Sequence, residues 1–351
     1  MTAAKKKNSR RKQARFRSSR RKRIGNTVLL LFLLVVLGGT GIGAIYVLRN
    51  GTVFDKLEEA YVASREFSGG ITDLDSLRTD GFAKNLCVVV SDVPMDGVSL
   101  GENQKGLLLD LDDRKVLYSK QALQKVYPAS ITKIMTAMLA LKYGNMNDVV
   151  TITQENLNLE EGSQVCGFWA GDQVTLDQLL HCLLVYSGND AAAAIAEHVG
   201  GSTEGFVEMM NSYARELGCT GTHFTNPHGL QDENHYTTPY DIYLMLKEAL
   251  NYPEFTQITQ SGSYTVEYTH ADGSSASTTL LATDHYLTGE ATPPKNVTIL
   301  GGKTGTTDNA GNCLALLSQN AYGKPYISIV MGASTKDELY EQMSSLLQNI
   351  N

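Results

Sequence analysis

Apolar positions along the 351-residue chain fall into three kinds of run. The first, residues 24–48, is uncharged from Asn26 to Val47 and rich in Leu, Val, Ile and Gly, which is long enough to cross a bilayer. The second kind has helical spacing. Ile131, Ile134, Met135, Met138, Leu139 and Leu141 form one face of a predicted helix that follows Pro128, contains no glycine, and closes at Gly144. Residues 176–185 predict another helix, opened by Thr175 with Gln178 three residues on, the spacing of a capping box. Residues 190–199 predict a third, so residues 187–189 form the bend between them. The third kind is strand-like: residues 106–111 and 116–119 flank Asp112-Asp113-Arg114 as a hairpin, and residues 297–306 make a strand with 313–317 and 326–331 as its antiparallel neighbours. Residues 335–348 predict a closing helix.

Charge changes the reading of the first run. Residues 1–23 hold twelve of the chain's 30 Lys and Arg and no acidic residue, so the basic side is expected to stay cytoplasmic and the rest of the chain to lie outside. Gly41-Ile-Gly-Ala44 offers the alternative of a cleaved signal peptide, but the apolar run exceeds a usual signal core, which favours an uncleaved single-pass anchor in the cell membrane. Beyond the arm, 18 basic residues stand against 37 acidic ones, a formal −19 that disfavours nucleic acid and other polyanions as partners. The expected organisation is a basic arm at 1–23, a transmembrane helix at 24–48, a stalk at 49–82 with a helical segment at 54–67, and one catalytic domain at 83–351.

The chemistry lies in three short motifs in a fixed order: Ser130-Ile-Thr-Lys133, Ser187-Gly188-Asn189 and Lys303-Thr304-Gly305, separated by 57 and 116 residues. Serine is a poor nucleophile at neutral pH and needs a base within hydrogen-bond reach; lysine serves only when largely deprotonated. Lys133 stands three residues after Ser130 in the first turn of the predicted helix, so both share a face. Burial in that apolar helix and a second cation, Lys303, are expected to lower the Lys133 pKa. Ser187 is expected to relay a proton between Lys133 and a leaving group, Asn189 to hold Lys133 and a substrate amide, and Lys303 to hold a substrate carboxylate.

Tyr127-Pro-Ala-Ser-Ile-Thr-Lys-Ile-Met-Thr-Ala-Met138, with Ser-Gly-Asn at the second motif, resembles the low-molecular-mass penicillin-binding proteins that act as D-alanyl-D-alanine carboxypeptidases. Asn226-Pro-His-Gly-Leu230, His235-Tyr-Thr-Thr-Pro-Tyr-Asp241, Ala310-Gly-Asn-Cys-Leu314 and Val330-Met-Gly-Ala333 extend the similarity from about residue 84 to the C-terminus. The resemblance implies an α+β fold of the β-lactamase/transpeptidase type, with an antiparallel sheet flanked by helices and a helical subdomain. It implies removal of the terminal D-alanine from peptidoglycan stem peptides through an acyl-enzyme, acylation by β-lactams, and no metal or organic cofactor. It also implies an oxyanion hole from the backbone N–H groups of Ser130 and Thr306. The 48 residues after Lys303 are too few for the additional β-rich domain and C-terminal anchor of many relatives, so membrane attachment is expected at the N-terminus.

Three other uses of this site stay open. The Glu-x-x-Leu-Asn loop of common β-lactamases is missing after Asn189, where Phe224-Thr-Asn-Pro-His-Gly-Leu230 stands, which argues against rapid penicillin turnover. A D,D-endopeptidase would use the same site, whereas a membrane β-lactam receptor needs an output domain larger than a 23-residue arm. His228 and His235 are expected to be structural, since no metal-ligand cluster accompanies them. Cys87, Cys166, Cys182, Cys219 and Cys313 give an odd count, with Cys182 and Cys313 on buried elements. Trp169, the sole tryptophan, lies in a glycine-rich loop and is expected in the core or the cleft wall.

Overall fold

The computed structural model describes residues 85–351. The basic arm, membrane span, stalk and domain start expected at 1–84 lie outside the described residues. Among the described residues no helix is long and apolar enough to cross a membrane.

A five-stranded antiparallel sheet runs in the order β2-β1-β9-β8-β7, from β1 (Lys105–Asp110), β2 (Lys115–Lys120), β7 (Thr298–Thr307), β8 (Gly311–Gln319) and β9 (Pro325–Ala333). The predicted hairpin is β1–β2. One predicted neighbour is corrected: β8 pairs with β7, but β9 lies between β8 and β1. The apolar run of β9 suits a central strand covered on both faces, and periodicity alone carries no order of strands. The lysine-bearing β7 is therefore an edge strand, with one row of backbone groups unclaimed by the sheet.

Both faces of the sheet are covered, as the alternation along β8 shows. Leu314 and Leu316 pack with Leu339, Met343 and Leu346 of α8 (Lys336–Leu347), while Cys313, Ala315 and Leu317 join the opposite core. That opposite core is built on α1 (Lys133–Tyr143), whose residues from Lys133 to Ala140 are all buried. A helix apolar all round belongs inside a protein, and α1 is wrapped by α2 (Leu176–His181), α3 (Asn189–Gly200), α4 (Thr203–Glu216) and α5 (Pro239–Ala249).

The capping box forms at α2: Thr175 Oγ1 accepts from the Gln178 N–H and Gln178 Oε1 accepts from the Thr175 N–H. The predicted helix then continues as one π-helical turn, Cys182–Tyr186, and delivers Ser187 into the bend. A smaller sheet of β3 (Val149–Thr151), β4 (Gln173–Thr175), β5 (Ser263–Thr269) and β6 (Ser275–Leu281) stands beside the helices. Two short helices, α6 (Pro253–Thr259) and α7 (His285–Thr288), precede β5 and β7 respectively. All five cysteines are free and buried.

Candidate active site

The nucleophile turn differs from expectation in one respect. Residues Ala129–Thr132 form a 3-10 turn, and the α-helix begins at Lys133 rather than carrying Ser130 in its own first turn. In a 3-10 turn, residues i and i+3 are eclipsed, so the pair comes together more directly: Lys133 Nζ lies 2.8 Å from Ser130 Oγ. The loop at 226–230 supports this turn from below. Gly229 has φ +89°, and a Cβ there would fall 1.9 Å from the Ala129 carbonyl oxygen.

Lys133 is fully buried, and its Nζ meets two further oxygens, Asn189 Oδ1 at 2.6 Å and the His228 carbonyl at 2.8 Å. Burial, followed by the field of Lys303, drives its pKa well below that of a free lysine. A neutral amine has two N–H donors and one lone pair. Given to Asn189 Oδ1 and the His228 carbonyl, the donors leave the lone pair facing the Ser130 hydroxyl, the arrangement a general base requires.

The second motif enters on a strained residue. Ser187 adopts φ 70° and ψ 33°, a left-handed conformation uncommon outside glycine and often found at functional sites. Gly188 follows because a side chain has no room: a Cβ there would meet Cys166 Sγ at 2.3 Å. Asp190, buried next to Asn189, accepts the Cys166 N–H at 2.8 Å and ties the 164–167 loop to the start of α3. Among the hydrogen bonds of Ser187, none reaches Lys133. Ser187 Oγ accepts from Lys303 Nζ at 2.9 Å, while Asn189 is the motif residue that reaches Lys133.

Lys303 is 2% exposed, and its Nζ also donates to the Thr304 carbonyl at 3.0 Å. Burial lowers its pKa to about 7, against an opposing pull from the Asp284 carboxylate. Asp284, on which the sequence reading placed no role, is itself buried with its pKa raised by desolvation. Its Oδ1 accepts from the Tyr286 N–H and the Tyr340 hydroxyl, and its Oδ2 has no hydrogen-bond partner. Nothing in the local sequence Thr283-Asp284-His285 marks it, because the interaction crosses from one chain segment to another.

The three motifs converge on one cleft of about 330 Å³, lined by Ser130, Ser187, Asn189, Thr304, Gly305 and Thr306 among others. Gly305 brings β7 against the nucleophile turn: a Cβ there would stand 2.9 Å from the Pro128 carbonyl oxygen and 3.0 Å from the Ser130 backbone nitrogen. Thr304 hydrogen-bonds Thr283 through their hydroxyls, and Thr306 Oγ1 donates to Asn312 Oδ1 at 3.2 Å. Lys303 is not itself among the lining residues, and its Nζ reaches the cleft-lining Ser187 Oγ. The cationic side chain on the lining is Lys336, exposed at the start of α8, a residue the sequence reading passed over.

His228 and His235 take the structural roles expected of them. Burial lowers their pKa values to about 3 and about 4, so both are neutral at pH 7. His235 Nδ1 accepts from the Thr225 N–H, which assigns its Nε2–H to Thr132 Oγ1 at 2.8 Å and braces the nucleophile turn. Among the described residues no cluster of three His, Cys, Asp or Glu side chains could hold a metal ion. Trp169, expected in the core or the cleft wall, is 68% exposed and is not among the residues lining the cleft.

The arrangement resembles known proteins in sequence and in three dimensions. Residues 101–335 match the D-alanyl-D-alanine carboxypeptidase family. The chain is 36% identical over 251 residues to D-alanyl-D-alanine carboxypeptidase DacF of Bacillus subtilis, covering 70% of this chain and 61% of that protein. It is 34% identical to DacC of Escherichia coli, covering 69% and 59%. The chain thus spans about three fifths of these relatives' length. Among solved structures, a Streptomyces DD-transpeptidase superposes with TM-score 0.65 at 27% identity, covering 74% of this chain and 98% of that one. A D-alanyl-D-alanine carboxypeptidase of Mycobacterium tuberculosis superposes with TM-score 0.64 at 28% identity, covering 74% and 95%. With the family match extending over two thirds of its length and all three motifs gathered on one cleft, the chain belongs to the D-alanyl-D-alanine carboxypeptidase family.

Proposed function

We propose that the protein is a serine-type carboxypeptidase that removes the terminal D-alanine from peptidoglycan stem peptides and is acylated at the same serine by β-lactams. The observation that carries this reading is the contact of fully buried Lys133 Nζ with Ser130 Oγ at 2.8 Å, on a lysine whose pKa is driven down. Ser130 Oγ attacks the carbonyl of the penultimate D-alanine while its proton passes to Lys133 Nζ. The oxyanion forms against the backbone N–H groups of Ser130 and Thr306, brought together by the close approach at Gly305. The unclaimed edge of β7 pairs with the substrate backbone as an added strand. Lys303, with its pKa near neutrality, passes a proton through Ser187 Oγ to the departing D-alanine amine, and water then releases the acyl group. The substrate's terminal carboxylate falls to Lys336, the cation on the cleft wall, and not to buried Lys303. Residues 24–48 would hold the enzyme in the cell membrane as a single-pass anchor with its catalytic domain outside.

Mass spectrometry of the purified protein with a stem pentapeptide tests the reaction: conversion to tetrapeptide is expected with wild type and none with Ser130→Ala. Penicillin should leave one covalent adduct on wild type only. An adduct on both proteins removes Ser130 from its role.

A further inference from the structure

Two thiols that the reaction does not use meet beside the Ser187 bend. Gly162, Ser163 and Gln164 line the catalytic cleft, and the loop that carries them is tied to the second motif by three hydrogen bonds. The Asn189 N–H donates to the Gln164 carbonyl at 2.8 Å, the Gln164 side chain donates to the Tyr186 carbonyl, and the Cys166 N–H donates to Asp190 Oδ2 at 2.8 Å. A further tie is sulfur on sulfur. The thiols of Cys166 and Cys182 are hydrogen-bond partners, and Cys182 opens the π-helical turn that delivers Ser187. Both cysteines converge on Gly188: its N–H donates to the Cys182 carbonyl at 3.1 Å, while Cys166 Sγ stands 2.3 Å from where a Cβ at 188 would lie.

We propose that Cys166 and Cys182 form a modification site, where an external disulfide oxidises the pair to an intramolecular disulfide that clamps the cleft wall to the Ser187 bend and slows acylation. Its setting rests on the proposed carboxypeptidase reading, which puts the domain outside the membrane, where disulfides form and persist. Cys166 is the entry point, being 6% exposed and flanked by exposed Val165 and Gly167, whereas Cys182 is fully buried. The Cys166 thiolate attacks one sulfur of the external disulfide and expels the other as a thiolate. The Cys182 thiolate then attacks Cys166 Sγ and expels the second external thiolate. The two thiol protons end on the two external thiolates, and two electrons pass from the cysteine pair to the external disulfide.

The hydrogen bond to Cys182, followed by burial, holds the Cys166 pKa well above that of a free thiol, so the closed pair reacts slowly and its oxidation follows opening of the wall loop. A disulfide bond is about 2.05 Å long, shorter than any contact between two thiols, so its formation draws the wall and the π-helical turn together. Ser187, at the end of that turn, holds Lys303 Nζ at 2.9 Å, and a displacement on the order of 1 Å in such a relay is enough to cost a large factor in rate.

Oxidised glutathione should remove two hydrogen atoms from the detergent-solubilised full chain, as read by intact mass, and peptide mapping should find Cys166 joined to Cys182 with Cys87, Cys219 and Cys313 still free. Single-turnover acylation by penicillin should then slow on the order of ten-fold and recover with dithiothreitol. Cys166→Ala and Cys166→Ser should acylate like the reduced wild type and ignore the oxidant in both readouts. Glutathione adducts without a 166–182 cross-link, or a cross-link that leaves the acylation rate unchanged, overturn the proposal. A cross-link in a protein that penicillin fails to acylate even when reduced would instead remove the carboxypeptidase reading and leave the disulfide site standing.

Discussion

Lys133 and Lys303 are both buried, both reached by the field of their surroundings, and kept in opposite company. Lys133 meets three neutral oxygens, and after burial the largest influence on it is a cation, Lys303, which pushes its proton off further. Lys303 meets a hydroxyl and a carbonyl, and its second influence is the Asp284 carboxylate, which holds its proton on. The same desolvation cost thus yields a base on one side and a group near neutrality on the other, with the sign of one neighbouring charge making the difference.

The sharpest way to break this comparison is to charge the base permanently. Lys133→Arg keeps the cation but cannot deprotonate usefully, and single-turnover acylation by penicillin and by peptide should fall on the order of 10³-fold. Equal rates for variant and wild type would require a different proton acceptor. Lys303 should be more forgiving. Lys303→Ala should cost on the order of 2 to 4 kcal/mol in kcat/KM, as a charge-assisted contact is lost from a dry site, and Lys303→Arg, which restores the charge but cannot pass its proton on, should recover only part of that loss.

Stability should move the other way. A lysine at about 7 in the folded chain and 10.5 unfolded leaves the unfolded state binding the extra proton between those values. Stability then rises with pH across that window, and the penalty is fully present below pH 7. Lys303→Met should therefore be the more stable protein at pH 7, with its advantage shrinking towards pH 10, as read from denaturation midpoints. An advantage that grows with pH would contradict the lowered pKa.

The smallest expected effect belongs to Asp284→Asn. Removing the carboxylate removes the pull that holds the Lys303 proton, so the alkaline limb that Lys303 is expected to set on the acylation rate should move to lower pH by less than about one unit. A shift to higher pH would show that Asp284 does not act on Lys303.

Much of this site is legible along the chain because its parts are local. The Ser130–Lys133 contact follows from a three-residue spacing in any helical turn, whether 3-10 or α, and the Thr175–Gln178 capping box from the same spacing. Strand β7 and helix α8 are visible as apolar periodicities. The partners of Ser187 and Lys303 are not local. Motif chemistry alone pairs Ser187 with Lys133, yet the bond that forms spans 116 residues and joins Ser187 to Lys303. Trp169 shows the same limit: apolar character predicts burial on average, whereas its place in a solvent-exposed loop, stacked on His270 just past the end of β5, is set by tertiary packing.

The chain by itself determined the motifs, their order, the helices and strands that carry them, and the need for a buried lysine beside a serine, because these depend on residue type and on spacings of a few positions. Only the tertiary structure decided that β7 is an edge strand, that Asp284 acts on Lys303, and that Lys336 is the cation left on the cleft wall. Strand order and charge fields are set by which segments pack together, and electrostatic interaction depends on distance through space, which separation along the chain does not encode.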